Sequence, residues 1–156
     1  MNRGSAFKIP NEYGRFIKDI LEPLDCSEYD WLFGDGQVLK TVDGHLIDEE
    51  LFHSDESTIC GSELIERINH ISYYSIFADL KGFPKKRMMI KVDTYGDFLM
   101  SDCEIVLLIT DSVYVSVYCK DENLLEHLHN NAIIKEYQAV EYITDGNDAR
   151  TGMVAW

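Results

Sequence analysis

Residues 104–119 read E-I-V-L-L-I-T-D-S-V-Y-V-S-V-Y-C, and no other stretch restricts the fold so tightly. Ile105–Ile109 is apolar at every position, so both of its faces must be covered, and it reads as a central strand. Val113–Cys119 alternates with period 2 and is rich in β-branched and aromatic residues, the pattern of a second strand. The T-D-S link is too short for a crossover, so the two strands must be antiparallel neighbours.

The rest of the chain is placed around that pair. Ser5–Ile9 predicts a short strand stopped by Pro10. Apolar residues at Tyr13, Phe16, Ile17, Ile20, Leu21 and Leu24 step by 3, 1, 3, 1 and 3, which predicts an amphipathic helix ended by Pro23. Arg15–Asp19 and Lys18–Glu22 are spaced as i,i+4 ion pairs on its outer face. Tyr29–Phe33 and Gln37–Val42 flank Gly34-Asp35-Gly36, and a second Asp-Gly follows at Asp43–Gly44. Asp-Gly between apolar runs favours tight hairpin turns, because glycine accepts positive φ. The Gly34–Gly36 pair lacks the third glycine and the following helix of a nucleotide loop. His53–Gly61 reads as a polar loop, and about Ser62 to His70 as a helix. Tyr73–Ala78 and Met88–Val92 read as strands joined by a turn at Gly82-Phe83-Pro84. Asp121 caps a third helix, with Leu124, Leu125, Leu128 and Ala132 inward, and Tyr137–Ile143 is a final strand.

The order β-α-β-β-α-β-β-β-β-α-β predicts an α+β fold, a mainly antiparallel sheet with about three helices packed on one face. Residues 1–156 read as a single domain, long enough to bury a core without disulfides. None of Cys26, Cys60, Cys103 and Cys119 forms a C-x-x-C pair, no signal-peptide run opens the sequence, and no stretch approaches a membrane span. The reading is a cytoplasmic protein with reduced thiols.

Segments of this chain resemble a domain-of-unknown-function family of Bacillus-type bacteria. The resemblance is carried by F-K-I-P-N-E-Y-G-x-x-I-K-D-I-L-E-P-L-D at 7–25, Tyr29–Trp31, D-S-V-Y-V-S-V-Y-C-K-D at 111–121 and A-R-T-G-M-V-A-W at 149–156. It implies a bacterial, cytosolic, single-domain protein, and it carries over no catalytic or binding residue.

Charge supplies the functional argument. The 28 acids against 14 bases give a net charge of −14. That surplus argues against nucleic acid and anionic membrane surfaces as partners, and suits association with a basic protein. It is unevenly distributed. From Thr41 to Glu66 acids occur with no Lys or Arg, among them Asp43, Asp48, Glu49, Glu50, Asp55 and Glu56. His45 and His53 sit among them, but the segment lacks the EF-hand order of ligands, and eight residues separate the histidines where a helical zinc motif needs four. Leu46, Ile47, Leu51 and Phe52 read as core anchors that order the segment. The opposite block, Lys81, Phe83, Lys85, Lys86 and Arg87, reads as an exposed basic turn, either a docking loop or an edge protected by lysines.

Cys60, at the start of the second helix, is the one thiol placed for a lowered pKa. His127 and His129, at i,i+2, fall on different helix faces and do not form a ligand pair. Tyr114 and Tyr118 share one strand face, either core or an open binding surface. No nucleophile elbow, P-loop or H-E-x-x-H occurs. These observations call for no metal and no cofactor. They point to a non-enzymatic protein acting through a protein–protein interface, one version being immunity- or antitoxin-like masking of a basic partner. The alternative is a small-molecule-binding or hydrolytic protein with a pocket at the sheet face.

Overall fold

In a computed structural model, residues 1–53 and 55–155 are described. The strands are β1 (Asn2–Lys8), β2 (Tyr29–Phe33), β3 (Gln37–Val42), β4 (His45–Glu50), β5 (Thr58–Cys60), β6 (Tyr73–Pro84), β7 (Ile105–Thr110), β8 (Tyr114–Cys119) and β9 (Gln138–Thr144). The helices are α1 (Phe16–Ile20), α2 (Gly61–His70), α3 (Tyr95–Met100) and α4 (Glu122–Ile134). The sheet runs β4-β3-β6-β7-β8-β1-β9, with β2 also on β6 and β5 beyond β2, and all these pairings are antiparallel. The fold is therefore α+β and mainly antiparallel sheet.

β7 is central because both its faces are apolar. Ile105, Leu107 and Ile109 join one core cluster, and Val106 and Leu108 join the other. The first cluster takes Ile17 and Ile20 of α1, Leu64 and Ile68 of α2, and Leu125, Leu128 and Ala132 of α4. The second takes Phe98 of α3, with Phe83, Val92, Tyr118 and Met153. Three helices thus pack on one face as expected, and a fourth, unexpected one packs on the other. Its start is a capping box in which Thr94 and Asp97 bond each other's backbone N–H groups.

Two local expectations are corrected. The first helix is short. Gly14 leaves it to bridge Tyr73 of β6, and the chain turns at Leu21, yet Leu21 and Leu24 remain buried. The periodic stripe marked burial more reliably than helix length. The predicted Lys18–Glu22 pair does not form; Glu22 meets Lys135 of the α4 C-terminus at 3.3 Å.

The second correction concerns β6. Gly82-Phe83-Pro84 is not a turn, and Met88–Val92 is not a strand. β6 runs straight through to Pro84, opposite Tyr29 of β2, and the turn lies beyond it, where Lys86 has φ 67° and Arg87 N–H bonds Pro84 O at 3.2 Å. Alternation along β6 therefore puts Lys81 and Phe83 inside. Phe83 is fully buried and Lys81 only 4% exposed, so neither belongs to an exposed basic loop. Lys85, Lys86 and Arg87 are exposed.

Candidate functional site

Gly34-Asp35-Gly36 was expected to turn the chain back on itself, but β2 and β3 both run antiparallel to β6 along the same edge. Phe33 pairs with Leu80, and Gln37 pairs with Phe77. Three residues of one path therefore face two of the other, Ala78 and Asp79, and the strand breaks as at a bulge. Gly34 N–H still reaches Asp79 O at 3.1 Å. A Cβ on Gly34 would lie 2.7 Å from Asp79 Oδ2, so this position accepts only glycine without a shift. The hairpin expected at Asp43–Gly44 does form, with both residues at positive φ (51° and 78°), joining β3 to β4.

The broken edge opens a cavity on each side. The smaller, about 180 Å³, is lined by Phe33, Phe52 and Phe77 with the acids Asp35, Glu50, Glu56 and Asp79, and by His53, but by no Lys or Arg. The rings of Phe33 and Phe52 lie 5.1 Å apart, tilted by 35°. The larger, about 490 Å³, shares Gly34, Asp35 and Asp79 and adds Lys81, Lys91, Asp93 and the apolar Leu32, Met89, Val92 and Val154.

Asp79 links the two. It is 3% exposed, and its Oδ1 accepts from Lys81 Nζ. Lys81 Nζ also donates to Met153 O at 2.7 Å, which ties the 149–155 segment to the sheet. Asp79 Oδ2 has no hydrogen-bond partner; among the described residues only Ser75 Oγ shares that condition. Burial pushes the Asp79 carboxyl above the usual carboxylate range, against the opposing pull of Lys81.

The rim is organised by Arg67 of α2. Its guanidinium forks onto Glu56 at 2.8 and 3.0 Å and onto Glu63 at 2.7 Å. These bonds hold the Glu56 carboxyl below its ordinary range. Glu49 pairs with Lys40 at 2.9 Å. Asp43, Asp48 and Asp55 are exposed, Glu50 is half-buried at the cavity, and Leu46, expected inside, is 38% exposed on the edge strand β4. The acidic segment is anchored by two of the residues expected to do so, Leu51 and Phe52.

The other candidates fall elsewhere. Among the described residues, no three His, Cys, Asp or Glu side chains converge closely enough to hold a metal ion, and His45 and His53 lie at opposite ends of the β4 segment. Cys60 caps α2 and is exposed; hydrogen bonds from Ser62 and the Glu63 backbone lower its pKa. Tyr118 is core, with its hydroxyl 3.1 Å from Asp148, whereas Tyr114 on the same face is exposed at the strand end. On the opposite side of the sheet, Ser5 Oγ and His129 Nδ1 share a 2.9 Å hydrogen bond, and the imidazole stacks on Tyr142 at 3.7 Å. Ser5 is fully buried and lines none of these cavities, so this pair is a structural clasp rather than a nucleophile and base.

Asp79, Asp35 and Phe33 were not singled out from sequence. A signal was present for Asp79 and Lys81: two opposite charges at i,i+2 within an otherwise apolar strand must share a buried face.

Comparison with known proteins is consistent from end to end. Residues 2–154 match the family described as "Protein of unknown function (DUF2691)". A Bacillus subtilis (strain 168) protein, "Uncharacterized protein YncE", is 46% identical over 153 residues, covering 98% of this chain and 99% of that one. No solved structure matches. No helix among the described residues is long and apolar enough to cross a membrane.

Proposed function

The chain belongs to the DUF2691 family, and from that premise we propose that it is a non-catalytic, small-molecule-binding protein whose site is the break between β2 and β3. One observation carries the reading. Asp79, which lines both cavities, carries a buried carboxylate oxygen, Oδ2, without a partner. Leaving such an atom unpaired costs of order 1–3 kcal/mol, a burden a fold sheds unless a ligand or ordered water supplies the missing bond. Concave sites with an apolar lining and a few convergent polar groups are the usual form of small-ligand pockets. Bulges also recur beside functional sites. A ligand-observed NMR screen of a mixed-charge fragment set tests this. Binders should be lost in Asp35→Arg, which changes an exposed residue at the mouth of both cavities. A silent screen, or hits that ignore the substitution, rejects the reading.

A second reading keeps a protein partner. β4 is an edge strand that exposes Asp48 and Glu49 beside the Asp43 turn, with Asp55 exposed beyond it. A basic protein could be steered to this edge, as in immunity- or antitoxin-like masking. Two observations weigh against giving it first place. Glu49 and Glu56 already have basic partners within the chain, and Lys81 and Phe83 have left the surface. Affinity capture from the native cell at low and high salt tests it: a reproducible basic partner released by salt supports the reading, and none rejects it.

A further inference from the structure

We infer that the smaller cavity takes a compact organic cation, a quaternary ammonium group on a short apolar body. The inference rests on the cavity reading above and adds the ligand's chemical class. Four carboxylates line this cavity, and His53 is the only side chain there that can carry positive charge. Two of the four are compensated from outside it: Glu56 by Arg67, and Asp79 by Lys81 through one oxygen only. Asp35 and Glu50 enter no salt bridge among the described residues. The site is therefore short of positive charge, within a chain that is itself strongly negative and draws cations towards it.

The geometry separates an organic cation from a metal ion. Among the described residues, no three His, Cys, Asp or Glu side chains come together as a metal site would need. The four carboxylates share the cavity lining with three phenylalanines, and aromatic rings combined with acids suit a diffuse, weakly hydrated cation. A volume near 180 Å³ limits the body to a few carbon atoms. The larger cavity, with Lys81 and Lys91 in its wall, lacks this one-sided charge.

The test is a titration of the full chain, followed by ¹H–¹⁵N NMR, with three probes of nearly equal shape. Choline is the cation, 3,3-dimethylbutan-1-ol its neutral counterpart, and 3,3-dimethylbutanoate the anion. Choline should shift resonances of Phe52, Phe77 and Ala78 and bind at least about tenfold tighter than the alcohol, a gap that narrows with added salt. Asp35→Asn should erase most of that preference, and Phe52→Leu should weaken choline more than the alcohol. If the alcohol or the anion binds as well as choline, the charge assignment is overturned and the cavity reading stands. If none of the three binds while the fragment screen finds other ligands, the assignment is again overturned. If the screen is silent too, both fall together.

Discussion

Two polar pairs are buried on opposite faces of one sheet, and they differ in access and in how fully they are hydrogen-bonded. Ser5 and His129 meet beneath α4, and neither leaves a buried polar atom unpartnered. Asp79 and Lys81 meet on the other face, and one carboxylate oxygen is left over. The first pair has the residue types of a hydrolase dyad and is sealed. The second has the residue types of an ordinary ion pair and borders two cavities. Residue identity alone would favour the first pair as a site, whereas access and unmet hydrogen bonding favour the second. Access and unmet hydrogen bonding are what distinguish a clasp from a site.

The sharpest way to break the comparison is Lys81→Met. It strands the Asp79 charge inside the protein and should cost about 3–5 kcal/mol in urea unfolding, whereas the double change Asp79→Leu with Lys81→Met should recover most of that loss. The loss should also depend on pH. The folded-state pKa of Asp79 is already raised, so its contribution to stability is present below the unfolded carboxylate value of about 3.9 and is lost as pH rises through the folded value. Without Lys81 the folded pKa rises further, so the deficit should be larger at pH 8 than at pH 5. A pH-independent deficit would contradict a buried, ionisable Asp79.

Next in size is Gly34→Ala. The new Cβ would press on Asp79 Oδ2, and crowding of this kind costs about 1–3 kcal/mol. Fragment binding should fall with it. A neutral effect on both would show that the break is looser than its geometry.

Ser5→Ala should cost less, about 1 kcal/mol, as one buried hydrogen bond is lost. Burial lowers the His129 pKa, so this group supports folding above its unfolded value of about 6.5 and withdraws that support as pH falls through its folded value. His129→Phe should therefore flatten the stability loss seen on acidification below about pH 6.5. An unchanged acid limb would place its origin elsewhere. The smallest effect belongs to the exposed turn. Lys85→Ala and Lys86→Ala should each change stability by less than about 0.5 kcal/mol, since nothing buried depends on either side chain.

Much of the architecture was legible in sequence. The apolar Ile105–Ile109 run specified the centre of the sheet, and the T-D-S link specified its antiparallel neighbour. The Asp43–Gly44 turn and the helix capped by Asp121 followed from local chemistry. What escaped was decided by partners distant in sequence. G-D-G has the composition of a hairpin turn, and only pairing of both flanking strands to β6 makes it a break. K-G-F-P-K-K-R looks like a surface turn because its charges are counted together. Strand alternation instead sends Lys81 inward and leaves Lys85 out. α3 was missed for a plainer reason: T-Y-G-D is a legible capping box, but its glycine and short length hid it. The acidic stretch showed its exposure correctly, yet its contribution to the cavity, Glu50 and Glu56, depends on Phe33 and Phe77 from strands it does not adjoin in sequence.

The place of β1 has a consequence for how the molecule comes into being. β1 lies between β8 and β9, with Gly4 opposite both Tyr118 and Ile143. A ribosome makes this strand well before either of its two neighbours. Until β8 is made β1 has both edges open, and the sheet cannot close until α4 has emerged and β9 follows it. Native contacts of such long sequence separation slow folding and lengthen exposure to aggregation. Closure of the sheet therefore waits on β9, and the chain's large negative charge, whatever it recruits in the finished fold, helps to keep unfinished copies apart.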